Sequence, residues 1–234
     1  MRSVDALILD GLEKAIAGES DCGRLIYDHN KMIAIFTDRD KMTQEEAIEW
    51  IDFNVMGVQP NGAGFIMMAE HFDYMNIFVV DSDPKTSAQQ LCDKHVVKMI
   101  LESAQMLCSP FPKGDAPYKR AYYNHPCTLW ARESQRNYEW LVDHAYAMCQ
   151  EYTRRYGKVH KSLAVIEWCG KNCHKLNLPA LDLTPFAQAM PEQYKNNCAV
   201  TAYRSYYNGE KAYFAKWTKR EAPNWFQIEQ ENAK

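Results

Sequence analysis

The sequence lacks any apolar run approaching the roughly 18 residues of a membrane span. Its opening, MRSVDALILDGLEK, lacks the apolar core and small-residue cleavage site of a secretory leader. An intracellular, cytoplasmic protein with no membrane partner is expected. There is no Walker A loop, no Rossmann glycine fingerprint and no G-x-S-x-G elbow, which removes the common nucleotide-binding and serine-hydrolase signatures. No internal repeat or low-complexity segment is present. The eight cysteines are scattered, and without a leader reduced thiols are expected rather than a disulfide framework. Cys169-x3-Cys173-His174, with His160 nearby, has zinc-like spacing but lacks a second matched pair. No metal and no cofactor are therefore expected.

What is present divides at residue 75. Residues 1–74 hold 6 Lys+Arg against 14 Asp+Glu, a balance of −8, whereas residues 75–234 hold 21 against 16, a balance of +5. Such asymmetry fits a polyanion partner for the second part, although two solvated surfaces of different sign would look the same. Residues 1–74 read as a small acidic α+β module. Apolar spacing predicts a helix over 4–17, Gly18 to Gly23 a turn, and Leu25-Ile26-Tyr27 a strand. Asp28 caps a helix to about Phe36, and Thr43 with Glu46 forms a capping box for a helix to about Asn54. Asn61-Gly62 signals a turn before a strand over Phe65 to Met68. The junction at Glu70 to Tyr74 has no Gly, Ser or Pro, and Met75 reads as a former start codon, suggesting a fusion of two units.

Residues 75–234 read as mainly helical. Ile77 to Val80 is a strand candidate, broken at Asp81-Ser82-Asp83-Pro84. One long amphipathic helix is expected from Thr86 or Ser87 to about Leu107, and another from Thr128 to Tyr156 with Gly157 as its stop. Leu163 to Cys169 is a further helix. An irregular stretch runs to Pro191, then a helix from Glu192 to Asn208. On the first long helix His95, Lys98 and Glu102 share one face within about two turns. An acid, a base and an amine on one stripe are a candidate catalytic set.

Asp93-x-His95 followed seven residues later by Glu102, after a short strand, resembles the pyrimidine-dimer DNA glycosylase family of the phage endonuclease V type. Asn124-His125-Pro126 before Trp130 and a long helix, and the aromatic-basic run Tyr203 to Lys211, follow in the same order. The resemblance implies a helical glycosylase-like domain over 75–234. It implies double-stranded, damaged or modified DNA as partner, and base excision at a pyrimidine with abasic-site lyase activity. By the same resemblance Glu102 supports the positively charged sugar and His95 contacts or orients the DNA backbone. The family's nucleophile is a free α-amino group at the start of the domain, whereas Met75 and Asn76 here lie inside the chain. Removal of the first part, initiation at Met75, substitution by Lys98, or absence of lyase activity would each reconcile this. Leu101 stands where the family carries an arginine. Residues 1–74 look like small uncharacterised phage proteins, which implies a phage or bacterial setting.

A basic-aromatic set supplies candidate nucleic-acid contacts: Lys119, Arg120, His125, Arg132 and Arg136, then Arg204, Tyr206, Lys216 and Arg220. Cations hold phosphates and aromatic rings stack on bases. Two alternatives stay open: a non-catalytic phage-type protein binding nucleic acid or a host factor, and a metal-dependent hydrolase using Asp93, His95, His125 and Asp143-His144. The catalytic reading requires the Glu102 and His95 side chains to face an open, cation-rimmed groove.

Overall fold

Asp28 and Asp83 start the first helix in each part of the chain, each accepting a hydrogen bond from the backbone N–H three residues on. In the computed structural model the described residues are 8–19, 24–43, 46–47, 50–51, 54–55, 66–68 (backbone only) and 75–227. The chain separates into two compact units, Met1–Phe72 and Asp73–Lys234. The first is a small α+β module and the second is mainly α, as the sequence predicts.

In the first unit β1 (Ile16–Glu19) pairs antiparallel with β2 (Leu25–Asp28), and β2 pairs in parallel with β3 (Ile66–Met68). The helix α1 (His29–Arg39) follows β2 and buries Met32, Ile33 and Phe36. Thr43 and Glu46 exchange the two hydrogen bonds of a capping box, at 2.9 and 3.2 Å, and residues 46, 47, 50, 51 and 54 are helical. The helix expected over 4–17 is not formed in its described part: Glu13–Ala15 is a single 3-10 turn and Ile16 enters the sheet. Pairing with β2 overrides the helical apolar spacing there. Gly18 is likewise a strand residue rather than a turn. Residues 1–7, 20–23 and 61–62 lie outside the described residues.

The second unit contains α2 (Pro84–Gln90), α3 (Asp93–Cys108), α4 (Pro126–Ala131), α5 (Gln135–Tyr156), α6 (Leu163–Asn172) and α7 (Ala199–Tyr206). Helix α3 is at the centre, with 13 of its 16 residues buried, and it packs against α4, α5 and α6. Gly157 stops α5 with φ of 70°, a left-handed value that glycine adopts without strain.

Four sequence expectations are corrected. Ile77 to Val80 pairs with no strand among the described residues, because Phe78 takes a left-handed conformation and side chains take backbone donors of the segment. Asn76 Oδ1 accepts from Ile77 and Phe78, and Ser87 Oγ accepts from Val80. The first long helix is two, α2 and α3. The chain breaks at Leu91-Cys92, where the Cys92 N–H donates to the Tyr207 hydroxyl. The second long helix is also two, α4 and α5, because Ser134 caps a new start by accepting from Asn137 N–H. The helix expected over Glu192 to Asn208 shrinks to α7, which continues into a π turn over Tyr207–Lys211 rather than ending at Asn208-Gly209.

Candidate active site

Helix α3 carries the predicted stripe, and the backbone segment before α2 lies against it. Glu102 Oε2 accepts a hydrogen bond from Asn76 N–H at 3.0 Å, and Lys98 Nζ lies 3.3 Å from Glu102 Oε1. Both side chains are buried, each 7% exposed as a residue. Asn76 is fully buried and held from several sides. Its Nδ2 donates to Ala189 C=O at 2.7 Å, and its Oδ1 is 2.8 Å from the Tyr203 hydroxyl. That hydroxyl also lies 2.9 Å from Ala187 C=O and accepts from Ala189 N–H. The irregular segment through 187–190 therefore covers Asn76.

His95 does not face an open groove, which corrects the expectation from sequence. Its ring stacks on Phe78 with centroids 4.0 Å apart, meets Phe214 edge-on, and hydrogen-bonds the Tyr207 hydroxyl through Nδ1. Phe78 adopts φ of 46°, a left-handed value that a bulky residue holds only when its surroundings enforce it. Its ring also lies parallel to Tyr206. Burial, and then the charges of Lys211, Lys98 and Lys94, hold the His95 imidazole well below its ordinary range, so it is neutral at pH 7. Lys211 is itself buried, with Nζ 4.7 Å from the Tyr206 ring. The sequence reading missed Phe78, and named Tyr203, Tyr207 and Lys211 only within the aromatic-basic run Tyr203 to Lys211, without placing them beside Asn76 and His95. The i, i+4 spacing of Tyr203, Tyr207 and Lys211 was the available signal.

Asp93 is not beside Glu102. It anchors the tail, accepting from Arg155 at 2.9 Å and from Thr218 N–H and Oγ1. Arg155, fully buried, also donates to Glu151, which binds Arg220 through two bonds of 2.6 and 2.8 Å. Burial pushes the Glu151 carboxyl up, but hydrogen bonds from Arg220 and Arg155 outweigh it and leave the group below its ordinary range.

The predicted nucleic-acid residues fall in three places. Lys119 and Arg136 are exposed, Arg136 pairing with Glu139 at 3.0 Å. Arg120 and Arg132 both lie over the Tyr123 ring, at 4.8 and 3.5 Å, and His125 caps α4 by accepting from Cys127 N–H. Arg204 donates to Val80 C=O at 2.8 Å and pairs with Asp81, tying α7 to the segment after Asn76. Tyr206 is buried, Lys216 is exposed, and Arg220 is engaged by Glu151.

The hydrolase alternative finds no assembled site, since no group of three His, Cys, Asp or Glu side chains able to hold a metal occurs among the described residues. His144 is fully buried and stacks on Trp140. Cys169 sits 3.6 Å from Cys108 as a buried pair of thiols. No described helix is long and apolar enough to cross a membrane.

Residues 75–164 match the family model of pyrimidine dimer DNA glycosylases. The resemblance read from the motifs is thus supported over this segment, which holds Asn76, His95, Lys98, Glu102 and His125; the phage-like resemblance of residues 1–74 is not supported. The match supports a DNA glycosylase type of function with DNA as the partner. No curated protein and no solved structure matches the chain.

Proposed function

We propose that the second unit excises damaged or modified pyrimidines from double-stranded DNA by attack of an amine on the sugar C1′, with Glu102 stabilising the positive charge that develops there. The observation that carries this reading is the position of the Glu102 carboxylate, 3.0 Å from Asn76 N and 3.3 Å from Lys98 Nζ in a site shielded from water. A carboxylate in such surroundings acts strongly on an oxocarbenium-like sugar. The base departs with the C1′–N electron pair. The amine bonds to C1′, the ring opens as O4′ takes a proton, and an imine remains. Loss of a C2′ proton then expels the 3′ phosphate.

Two nitrogens near the Glu102 carboxylate are the candidates for the attack. Lys98 Nζ is an amine in the continuous chain, and its proton can pass to Glu102. Asn76 N is an amide in the continuous chain and not a nucleophile; it becomes an α-amine if the chain starts at Asn76 or is cut before it. His95, neutral and enclosed, acts as a positioning residue for Phe78. The open groove that this reading requires is not present in the free protein: the segment through 187–190 covers Asn76, and Phe78, Phe214 and Tyr207 enclose His95, so excision requires DNA binding to open the site.

The test is borohydride trapping on duplexes carrying a pyrimidine dimer or an abasic site, with the whole chain and with a chain beginning at Asn76. A covalent adduct supports the excision reading, and its mass-mapped position names the amine. The closed site and the amide state of Asn76 favour a second reading, a DNA-binding protein without catalysis. Tight binding with neither adduct nor base release from either chain would establish it.

A further inference from the structure

The turn before α4 combines cations with exposed tyrosines. From residue 116 to 132 the sequence contains Lys119, Arg120 and Arg132 and no acidic residue. At its centre Tyr122 and Tyr123 are each 39% exposed. Tyr122 holds φ of 44°, a conformation costly for a bulky residue and one that accumulates at functional sites.

The turn is pinned from several sides. Tyr122 C=O accepts from His125 N–H at 2.9 Å, and Tyr123 C=O accepts from Arg132 at 2.9 Å. Arg120 donates to Phe111 C=O at 2.7 Å, and His125 caps the helix that follows. Both guanidinium groups rest against the Tyr123 ring. Two adjacent aromatic rings are thus held in a rigid, strained turn inside a cationic frame. For solubility alone such an arrangement has no advantage. For an opened step in duplex DNA it supplies the half-exposed Tyr122 ring and, on Tyr123, a ring already stacked with guanidinium planes, with little ordering left to be done on binding.

We propose that Tyr122 and Tyr123 form a wedge that enters the duplex beside the target nucleotide and fills the stack the target leaves, while Arg120 and Arg132 hold the flanking phosphates. This rests on the excision reading and adds to it a device for opening double-stranded DNA.

The experiment uses the full chain with Tyr122→Ala, Tyr123→Ala and the corresponding Phe variants, each checked for an unchanged melting temperature. Single-turnover excision is measured on one lesion-bearing sequence as duplex and as single strand. Fluorescence of 2-aminopurine next to the lesion reports unstacking on binding. Stacking on an aromatic contributes about 1–3 kcal/mol per base, or about 5- to 150-fold. The expected result is a loss in that range on the duplex for each Ala variant, a change below about twofold on the single strand, recovery by Phe, and loss of the fluorescence rise. Equal losses on both substrates, no loss on the duplex, or failure of Phe to restore activity would each overturn the wedge. If the wild-type chain excises from neither substrate, the excision reading fails. The fluorescence arm still judges the wedge on binding, and a protein-docking role for the tyrosines would leave it flat.

Discussion

Glu102→Gln separates a chemical role for this carboxylate from a structural one. Glutamine keeps the shape and can still accept from Asn76 N–H, the bond that is 3.0 Å in the structure. What it removes is the negative charge, and with it the partner of Lys98 at 3.3 Å. At an effective dielectric of about 20 that pair attracts by about 5 kcal/mol before desolvation is counted. Removing the carboxylate from a buried ion pair costs about 3–5 kcal/mol, so the single variant should lose stability as well as activity. A second variant, Lys98→Met with Glu102→Gln, removes both charges and should regain most of the melting temperature. Loss of one preorganised electrostatic contact to the developing charge slows chemistry by about 10²–10³-fold. Single-turnover excision should therefore fall by about that factor in Glu102→Gln, with the dissociation constant for lesion DNA within about threefold of wild type. The double variant should remain inactive despite its recovered stability. Excision within tenfold of wild type in a folded Glu102→Gln protein would refute the assignment. So would loss of affinity and activity in the same proportion, which would make Glu102 a structural group.

Arg155→Met should lower stability by about 3 kcal/mol in chemical denaturation, because it leaves the buried Glu151 and the partly buried Asp93 with one cation fewer; the tail around Thr218 should become protease-sensitive first. Burial lowers the His144 and His160 imidazoles from 6.5 to about 3 and about 4. Both are depressed in the fold, so their contribution to stability is complete above pH 6.5 and is lost as pH falls from there towards those values. At pH 5 the loss should be about 2 kcal/mol for each, and His144→Phe, which preserves the stack on Trp140, should remove its share of the pH dependence. His95→Phe keeps the ring against Phe78 but not the bond to Tyr207, and should leave excision within about tenfold of wild type. A loss beyond a hundredfold would make His95 a catalytic group, not a positioning one.

The parts of the fold legible in the sequence are those fixed by chemistry a few residues apart. The Asp28 cap, the Thr43 and Glu46 box, the Gly157 stop and the common face of His95, Lys98 and Glu102 all depend on spacings of four residues or fewer, or on whole helical turns. Most of the parts that were not legible depend on partners far along the chain. Cys92 breaks a helix whose apolar period continues through it, because its N–H is claimed by Tyr207, 115 residues away. One miss is local: Asn76 and Ser87, one to seven residues away, take donors that would have served Ile77 to Val80 as a strand. His95 has the spacing of an exposed stripe, yet the ring of Phe78 and the turn after α7 close over it. Arg204 and Arg220, named as phosphate contacts from the basic-aromatic set, pair with Asp81 and Glu151, partners 123 and 69 residues away that the sequence did not show.

The two buried ionic groups of the second unit call for different explanations. The group formed by Asp93, Glu151, Arg155 and Arg220 joins α3, α5 and the tail, and its carboxylates take bonds from guanidinium, hydroxyl and backbone donors. Its desolvation cost is offset by the elements it ties together. Lys98 and Glu102 are four residues apart on one helix, so their pairing joins no separate elements. Two apolar residues of similar size would pack there at equal or greater stability, as replacement of buried ion pairs generally shows. The bond from Asn76 N–H could equally be accepted by a neutral side chain such as glutamine. The bond from Asn76 N–H thus accounts for an acceptor at 102, while the pair with Lys98 adds a negative charge and an amine that this bond does not itself require. A site that must hold a positive sugar and pass a proton to and from a nitrogen requires both.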